Sequence, residues 1–244
     1  MSRKRLLFAL VAALLAFVPA SYAGFINGDF EMGDWTGWTR DGGLWYGGYG
    51  TYTYTGDQGK SAIVSAGWDP ILLARGVQVP MVYAGNYSGR VNNSDNMYHF
   101  STIVQDVLNW QDPDIYFAWS AVLESPSGHQ DTQPHFWLRL FDVTTSTMLY
   151  EQLIHAANTP PGLFTLVGGW QYSDWQTVHI DTSSVIGDDL RLTLLGSDCG
   201  LSGHGGYVYL DGFGNVEPQQ VPEPCTMLVC LGGFGMLLRR RRQR

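Results

Sequence analysis

The sequence predicts an all-β sandwich for the body of the chain, on three observations. The composition is rich in Gly, Thr, Tyr and Trp and poor in Lys and Glu, which favours strands and turns. Short alternating or apolar runs recur along the body with turn residues between them. No body segment of about 12 residues or more shows the 3.6-residue period of a helix.

The strands are predicted from these runs. Thr51–Thr55 alternates strictly and gives a strand with one aromatic face. Phe136–Val143 alternates too, with Phe136, Leu138 and Leu140 on one face. The remaining predicted strands are Lys60–Ser65, Val77–Tyr83, Phe100–Val107, Ile115–Leu123, Thr147–Ile154, Gln176–Asp181, Leu190–Leu195 and Tyr207–Phe213.

The N-terminus is predicted to be a secretory signal peptide over residues 1–23. A basic segment, Arg3–Arg5, precedes the 13-residue apolar run Leu6–Val18, and small residues then lead to a cleavage point after Ala23. A run this short that ends in small residues is typical of a cleaved signal, and the alternative is a retained anchor.

The C-terminus has three parts in a fixed order. A Pro-rich spacer over residues 217–224 precedes an apolar run at 225–238 and a basic tail at 239–244. The prolines hold the spacer extended, the apolar run can enter a bilayer as a short transmembrane helix, and the arginines stay cytoplasmic. The 14-residue run is shorter than the ~17–25 residues of a spanning helix, which snorkelling and bilayer thinning can offset. A permanent tail anchor is the alternative; a core helix is disfavoured because consecutive arginines must stay solvated.

This order resembles the PEP-CTERM sorting signal of exopolysaccharide-producing Gram-negative bacteria. The resemblance covers Val221–Arg244. It implies that a membrane-embedded exosortase recognises the motif, removes the tail and passes the protein outward. It also implies an inner-membrane-anchored precursor that ends at the cell surface or in the extracellular biofilm matrix. The sorting residues are Val221, Pro222, Glu223, Pro224, Arg239, Arg240, Arg241 and Arg242.

The charge of the body excludes one class of partner. Residues 24–220 hold six Lys and Arg against 21 Asp and Glu, a formal charge of −15, compared with −8 for the whole chain. A body this acidic is repelled by nucleic acid and by anionic lipid, so neither is an expected partner. The acidity also serves solubility.

Two segments resemble the first and last strands of the galactose-binding-like jelly roll, the fold of many carbohydrate-binding modules. The first is Phe25–Trp38, and the second begins at Asp174 and ends in Tyr207–Phe213. Lys60–Val64 fits an early strand of the same fold. The resemblance implies a jelly-roll domain over residues 24–216, with the opening segment beside the closing strand.

The same resemblance implies a structural calcium ion between the first and last strands. Glu31 and Asp211 match the positions that supply carboxylates, with Asp29 as a third candidate. Calcium takes six to eight oxygen ligands, so backbone carbonyls must complete such a site. The alternative is that Asp29 and Glu31 cap backbone amides in turns.

Cys199 is the only cysteine of the body, so it is either buried or pairs between chains. The segment Asp198–Tyr207 holds Cys199 and His204 among glycines. It offers at most three ligands from one loop, so a glycine-shaped turn with a satisfied histidine is favoured over a zinc site.

Catalysis is not predicted. Asp112, Asp114, Glu124 and Asp131 contain possible glycosidase pairs, which need carboxylates about 5–9.5 Å apart. With 21 acidic residues in the body, accidental pairs are common. Nucleophile elbows, zinc-protease motifs and phosphate loops do not occur in the sequence.

Non-catalytic carbohydrate binding is the predicted function, with extracellular polysaccharide as the partner. Aromatic rings stack on the C–H face of sugars, and aromatics crowd the first third of the mature chain. The Gly-rich stretch Asp41–Gly50 is predicted to be a flexible loop that exposes Trp45, Tyr46 and Tyr49. Trp119, Trp137 and Trp175 are predicted core residues. The alternatives are a secreted carbohydrate-active enzyme and a structural matrix protein that contacts other proteins.

Overall fold

The structure, a computed structural model, describes residues 24–48, 50–125, 128–129, 131–156 and 160–220. The predicted signal peptide, the Val221–Pro224 motif, the apolar run and the terminal arginines lie outside these residues. The helices that the structure describes include none with the length and apolar character needed to cross a bilayer.

The described body is a sandwich of two antiparallel sheets, which confirms the predicted all-β class. Within the ranges given above, helix α1 covers Pro70–Leu73 and a 3-10 turn covers Ser183–Val185. The strands are β1 (Thr39–Trp45), β2 (Tyr52–Tyr54), β3 (Ala62–Ser65), β4 (Tyr87–Val91), β5 (His99–Val107), β6 (Asp114–Glu124), β7 (His135–Asp142), β8 (Thr147–His155), β9 (Thr165–Val167), β10 (Trp170–Tyr172), β11 (Gln176–Asp181), β12 (Leu190–Ser197) and β13 (Gly206–Gly214).

The sheet order is not the chain order. One sheet has six strands in the order β2-β1-β5-β12-β7-β8. The other has seven, in the order β3-β4-β13-β6-β10-β9, and β11 also pairs with β6. The closing strand β13 therefore lies in the middle of the second sheet, between β4 and β6.

The main core lies between the two sheets. The predicted inward face of β7, formed by Phe136, Leu138 and Leu140, is fully buried there. Leu138 and Leu194 are direct register partners on β7 and β12, and Trp119 of β6 packs on Phe136 with ring centroids 4.6 Å apart. Alternating burial of this kind fixes which side of each strand faces solvent.

Two strand predictions are wrong. Val77–Tyr83 forms no strand and has one isolated bridge, between Trp68 and Pro80. Proline has no amide hydrogen to donate to a ladder, which explains why the pairing stops there. Phe25–Trp38 is a series of turns rather than an opening strand, and Asn27 and Phe30 have positive φ values of 51° and 58°.

The opening segment nevertheless lies against the closing strand, as the resemblance implied. The Phe213 amide donates to the Gly28 carbonyl over 3.0 Å. A Cβ on Gly28 would come within 2.1 Å of the Phe213 carbonyl oxygen, so only glycine allows this approach.

The outer face of the seven-stranded sheet is covered by residues 66–86, here named the cover segment. Leu72 and Val79 from this segment form a second buried cluster with Val122, Trp170, Tyr207 and Tyr209 of the sheet. The cover segment is a loop with one short helix, so polar groups must satisfy its backbone.

Asp69 is the buried anchor of the cover segment. Its Oδ2 accepts hydrogen bonds from the hydroxyls of Tyr207 (2.7 Å) and Tyr209 (2.8 Å). Its Oδ1 accepts the Leu72 amide over 2.8 Å and so caps helix α1. One carboxylate therefore joins the helix start to two residues of β13.

The Asp69→Ala substitution should lower the free energy of unfolding by about 3–5 kcal/mol, because it removes a cap and leaves two buried hydroxyls without an acceptor. Urea denaturation measures this loss. Asp174→Ala, at an exposed carboxylate outside the cover segment, is the control and should change stability by less than about 0.5 kcal/mol. Equal midpoints for the two variants would contradict the anchoring role of Asp69.

Candidate functional site

The outer face of the six-stranded sheet, here named the open face, carries the candidate site. Its side chains alternate with those of the main core, as the register shows: Tyr54 pairs with Gly43, and Gly43 pairs with Phe100. On the other half of the sheet Trp137 pairs with Leu195 and Leu153. Part of this face is buried in a small cluster of Trp45, Phe100 and Leu195, while Tyr54, Trp137, Arg139 and Glu151 on the same face are exposed or half-buried.

Strand β1 builds one half of the open face, although residues 41–45 were predicted to be a flexible loop. That prediction is wrong because the glycines permit close strand pairing. A Cβ on Gly43 would come within 2.0 Å of the Thr53 carbonyl oxygen, and one on Gly42 within 2.6 Å of the Phe100 oxygen. Glycine therefore serves close backbone approach here rather than flexibility.

The predicted carbohydrate contacts have three different outcomes. Trp45 is 0% exposed, and its indole nitrogen donates to the Asp198 carbonyl over 3.1 Å. Its ring packs edge-on against His135 at 4.9 Å, and with Phe100 and Leu195 it forms a buried cluster on the outer side of the six-stranded sheet, so Trp45 is not a surface contact. Tyr46 is 56% exposed beside Tyr98. Tyr49 lies outside the described residues.

Trp137, a predicted core residue, is a half-buried residue of the open face. The Arg139 guanidinium carbon lies 4.2 Å from the centroid of the indole ring, within the range of a cation–π interaction. The indole nitrogen donates to Glu151 Oε1 over 3.0 Å. Arg139 and Glu151 are direct register partners on β7 and β8. These three side chains form one group, here named the Trp137 triad.

Tyr54 stands on the opposite half of the open face and is 51% exposed. Its ring meets Phe100 edge-on with centroids 4.9 Å apart. Partial burial raises the pKa of Tyr54, the Arg139 charge lowers it and the Asp41 charge raises it. Arg139 and Asp41 therefore have opposite electrostatic effects on the Tyr54 hydroxyl.

Tyr52 and His135 lie on the same face as Tyr54 and are joined by a hydrogen bond. The His135 Nδ1 lies 3.0 Å from the Gln133 carbonyl, which can only accept, so Nδ1 carries the proton. The Nε2 atom then accepts the Tyr52 hydroxyl over 2.6 Å. Burial lowers the pKa of His135 to about 3, so the imidazole is neutral at physiological pH. The Tyr52 hydroxyl is therefore the donor and His135 Nε2 the acceptor of their hydrogen bond.

The open face can bind a neutral, hydroxyl-rich ligand. Its aromatic rings offer apolar faces for stacking, while the triad and Asp41 offer hydrogen-bond donors and acceptors beside them. These side chains sit on strands, so their positions are largely fixed before a ligand arrives.

The structure separates two of the carboxylates that were considered for catalysis. Asp114 begins β6 and Glu124 ends it, about 33 Å apart at the rise of a strand, far beyond a glycosidase pair. Asp114 is bonded to His179 at 2.6 Å, and Glu124 accepts the Gly205 amide at 3.0 Å. These two carboxylates hold local structure.

The predicted calcium ligands are only partly brought together. Glu31 accepts the amides of Asn86 and Tyr87 at 2.6 and 2.8 Å. Asp211 Oδ2 accepts the amides of Tyr83 and Ala84, both at 2.9 Å. The two carboxylates thus bind neighbouring residues of one loop.

Asp29 does not join them. It is exposed, and its Oδ1 lies 3.3 Å from the Glu31 amide, which fits the turn-capping alternative. Among the described residues, these three carboxylates form no three-ligand cluster.

Comparisons with known proteins add the following findings. No family model matches the chain, and no curated protein matches its sequence. Among solved structures, TmCBM61 in complex with β-1,4-galactotriose is 11% identical, with 78% of this chain and 96% of that chain covered and a TM-score of 0.45.

Two further structures show a similar level of likeness. The non-crystalline cellulose-specific carbohydrate-binding module CBM28 is 15% identical, with coverage of 80% and 94% and a TM-score of 0.39. The K2 cleaved adhesin domain of Lys-gingipain is 10% identical, with coverage of 73% and 87% and a TM-score of 0.34. At these values the likeness decides no ligand for this chain.

Proposed function

We propose that this protein binds an extracellular polysaccharide on its open face and does not cleave it. The observation that carries the proposal is the Trp137 triad, held on paired strands of the sheet face that the cover segment leaves free. An indole ring oriented by both a guanidinium and a carboxylate presents an apolar surface with hydrogen-bonding groups at its edge.

The spacing of the site favours a polymer over a single sugar. Tyr54 lies on β2 and Trp137 on β7, four strand spacings apart in the sheet order. At about 4.8 Å per strand the two backbones are about 19 Å apart. Thr102 and Leu195, which are buried register partners, lie on the strands between them. The exposed Tyr46 follows directly after β1.

Substitution of the triad should weaken polysaccharide binding. Trp137→Ala removes the stacking surface and should cost about 1–2 kcal/mol, or about 5–30-fold in affinity. Arg139→Ala and Tyr54→Ala should weaken binding in the same direction. Affinity electrophoresis in gels that contain purified exopolysaccharide measures the retardation of each variant.

The matched control is Tyr87→Ala, at a tyrosine of β4 in the other sheet that is 36% exposed. It should be retarded like the wild type. Unchanged retardation of Trp137→Ala and Tyr54→Ala would reject the open face as the contact. Release of reducing sugar by the wild-type protein would favour a secreted carbohydrate-active enzyme instead. A wild-type protein that is not retarded by the polysaccharide would favour a structural matrix protein that contacts other proteins.

We also propose export and sorting by the two chain ends. The support is the order of the C-terminal signal, with Val221–Pro224 first, then the apolar run, then Arg239–Arg242, together with the signal peptide that ends at Ala23. In this proposal the precursor is anchored in the inner membrane, an exosortase cuts near the motif, and the product joins the cell surface or extracellular matrix.

Sorting predicts the mass of the extracellular product. It should begin near Gly24 and lack the terminal arginines, which intact-mass spectrometry of protein from the culture matrix can test. A chain whose Pro222 and Pro224 are both replaced by Ala should remain in the membrane fraction. An extracellular product that retains Arg239–Arg244 would contradict the proposal.

We propose further that one calcium ion is held by Glu31 and Asp211, as a structural cofactor. Burial raises the pKa of Asp211 to about 7, and the nearby charge of Glu31 contributes to the shift. Asp211 Oδ1 is buried and has no hydrogen-bond partner within the described residues. A cation bound between the two carboxylates would reduce both their mutual repulsion and the cost of burying Asp211. Loop carbonyls would supply the additional ligands.

Calcium should therefore raise the melting temperature of metal-stripped protein, because an ion that binds only the folded state at about 100 times its Kd adds about 2.7 kcal/mol. Thermal melts with calcium, with magnesium and with chelator measure the shift. Glu31→Gln should abolish most of it, while Asp29→Asn should retain it. Identical melts with and without calcium would reject the site.

A further inference from the structure

We propose that His129, Cys199 and His204 form a transition-metal site that takes Zn²⁺ through two imidazoles and one thiolate. One ligand atom from each residue lies within 4.8 Å of the other two. The site is separate from the open face and from the proposed calcium ligands, and the proposal does not depend on carbohydrate binding.

The cluster forms where two loops meet at one end of the sandwich. Cys199 and His204 lie in the loop between β12 and β13, and His129 lies in the loop between β6 and β7. The Gly200 amide donates to the Thr132 carbonyl over 2.7 Å and joins these loops. The Cys199 amide donates to the His204 carbonyl over 2.8 Å, which closes the first loop on itself. The ligand backbones are thus held before a metal binds.

The distances suit zinc. His129 Nδ1 and Cys199 Sγ lie 3.1 Å apart, and the two imidazole centroids lie 5.0 Å apart with rings nearly perpendicular. In a tetrahedral zinc site, with Zn–S about 2.3 Å and Zn–N about 2.1 Å, nitrogen and sulfur are about 3.6 Å apart. The His129–Cys199 pair is therefore about 0.5 Å closer than in such a site, and the His204 ligand atom lies within 4.8 Å of both, so side-chain shifts without a change of the backbone would form the site.

Two polar features of the cluster are explained by a metal. His204 Nδ1 is buried and no described residue gives it a hydrogen-bond partner. The sequence had predicted a histidine whose hydrogen bonds are satisfied within the turn. Cys199 is 0% exposed, yet the Leu201 amide lies 3.4 Å from its sulfur as a donor. Donation to sulfur stabilises a thiolate, which is the form that binds metal.

Glu124 supplies negative charge beside the cluster. Glu124 is hydrogen-bonded to Gly205, the residue that directly follows the ligand His204. Its Oε2 is occupied by the Gly205 amide at 3.0 Å, so it supports a bound cation from outside the ligand set. Three protein ligands leave a fourth position for water or an external donor, as in zinc sites that exchange a ligand.

Metal titration of the full chain, purified in detergent and stripped of metal, tests the proposal. The probes are Zn²⁺, in competition with a chromophoric chelator, and Co²⁺, whose thiolate charge-transfer band reports a sulfur ligand. The wild type should bind one Zn²⁺ per chain. His129→Ala and His204→Ala should each weaken binding by at least about 10–100-fold. Cys199→Ser should abolish the cobalt–thiolate band.

Matched controls separate this site from other ligands of the chain. The double substitution Cys225→Ser, Cys230→Ser removes the tail thiols, and His179→Ala removes an exposed histidine that pairs with Asp114; both should bind Zn²⁺ like the wild type. If Cys199→Ser does not fold by circular dichroism, the two histidine variants decide the question. A cobalt–thiolate band that survives in Cys199→Ser, or histidine variants with wild-type zinc affinity, would overturn the proposal.

Discussion

The cover segment is held on the seven-stranded sheet by Asp69, a buried carboxylate that accepts three hydrogen bonds. Two come from tyrosine hydroxyls of β13 and one from the first turn of α1. A carboxylate in an apolar cluster is costly unless its oxygens are bonded. Here both oxygens accept hydrogen bonds, which offsets the cost of burying the carboxylate. Because these bonds form only when the cover segment lies in its observed position, Asp69 fixes that position.

The two faces of the sandwich differ because of this attachment. Leu72 and Val79 of the cover segment bury the apolar outer surface of one sheet. The other outer face buries a smaller cluster, formed by Trp45, Phe100 and Leu195, and it also carries the charged residues Arg139, Glu151 and Asp41, which are exposed or half-buried. Burying these charges under a loop would require a partner for each. In the proposed function, a hydrated, hydroxyl-rich ligand would stack on the rings and hydrogen-bond to the charged groups.

The sequence predicted the sheet architecture well, because the alternation in Phe136–Val143 and Thr51–Thr55 is a local property that the pleat enforces. It failed where long-range packing decides. Gly42 and Gly43 suggested a loop, yet their missing side chains let β1 pair closely on both sides. Trp45 and Trp137 exchanged their predicted roles although the register places both on the same face of the six-stranded sheet. Trp45 is buried because the loop between β12 and β13 packs on it and accepts its indole N–H at the Asp198 carbonyl, a long-range contact that the sequence does not reveal.

Sites assembled from distant segments were the hardest to predict. His129 lies 70 residues from Cys199 along the chain, and no spacing pattern connects them. The Trp137 triad was missed as well, although the alternation of Trp137, Arg139 and Phe141 opposite the apolar face of β7 was visible in the sequence. Glu31 and Asp211, which a family resemblance placed near each other, do bind neighbouring residues of one loop.

The most direct measurement of the central claim is hydroxyl-radical footprinting of side chains with and without bound polysaccharide. Footprinting reports the solvent exposure of individual aromatic rings, so it compares the two sheets in one sample. We expect Trp137 and Tyr54 to become protected on binding, while Tyr87 on the other sheet keeps its reactivity. Protection of Tyr87 with no change at Trp137 and Tyr54 would contradict it.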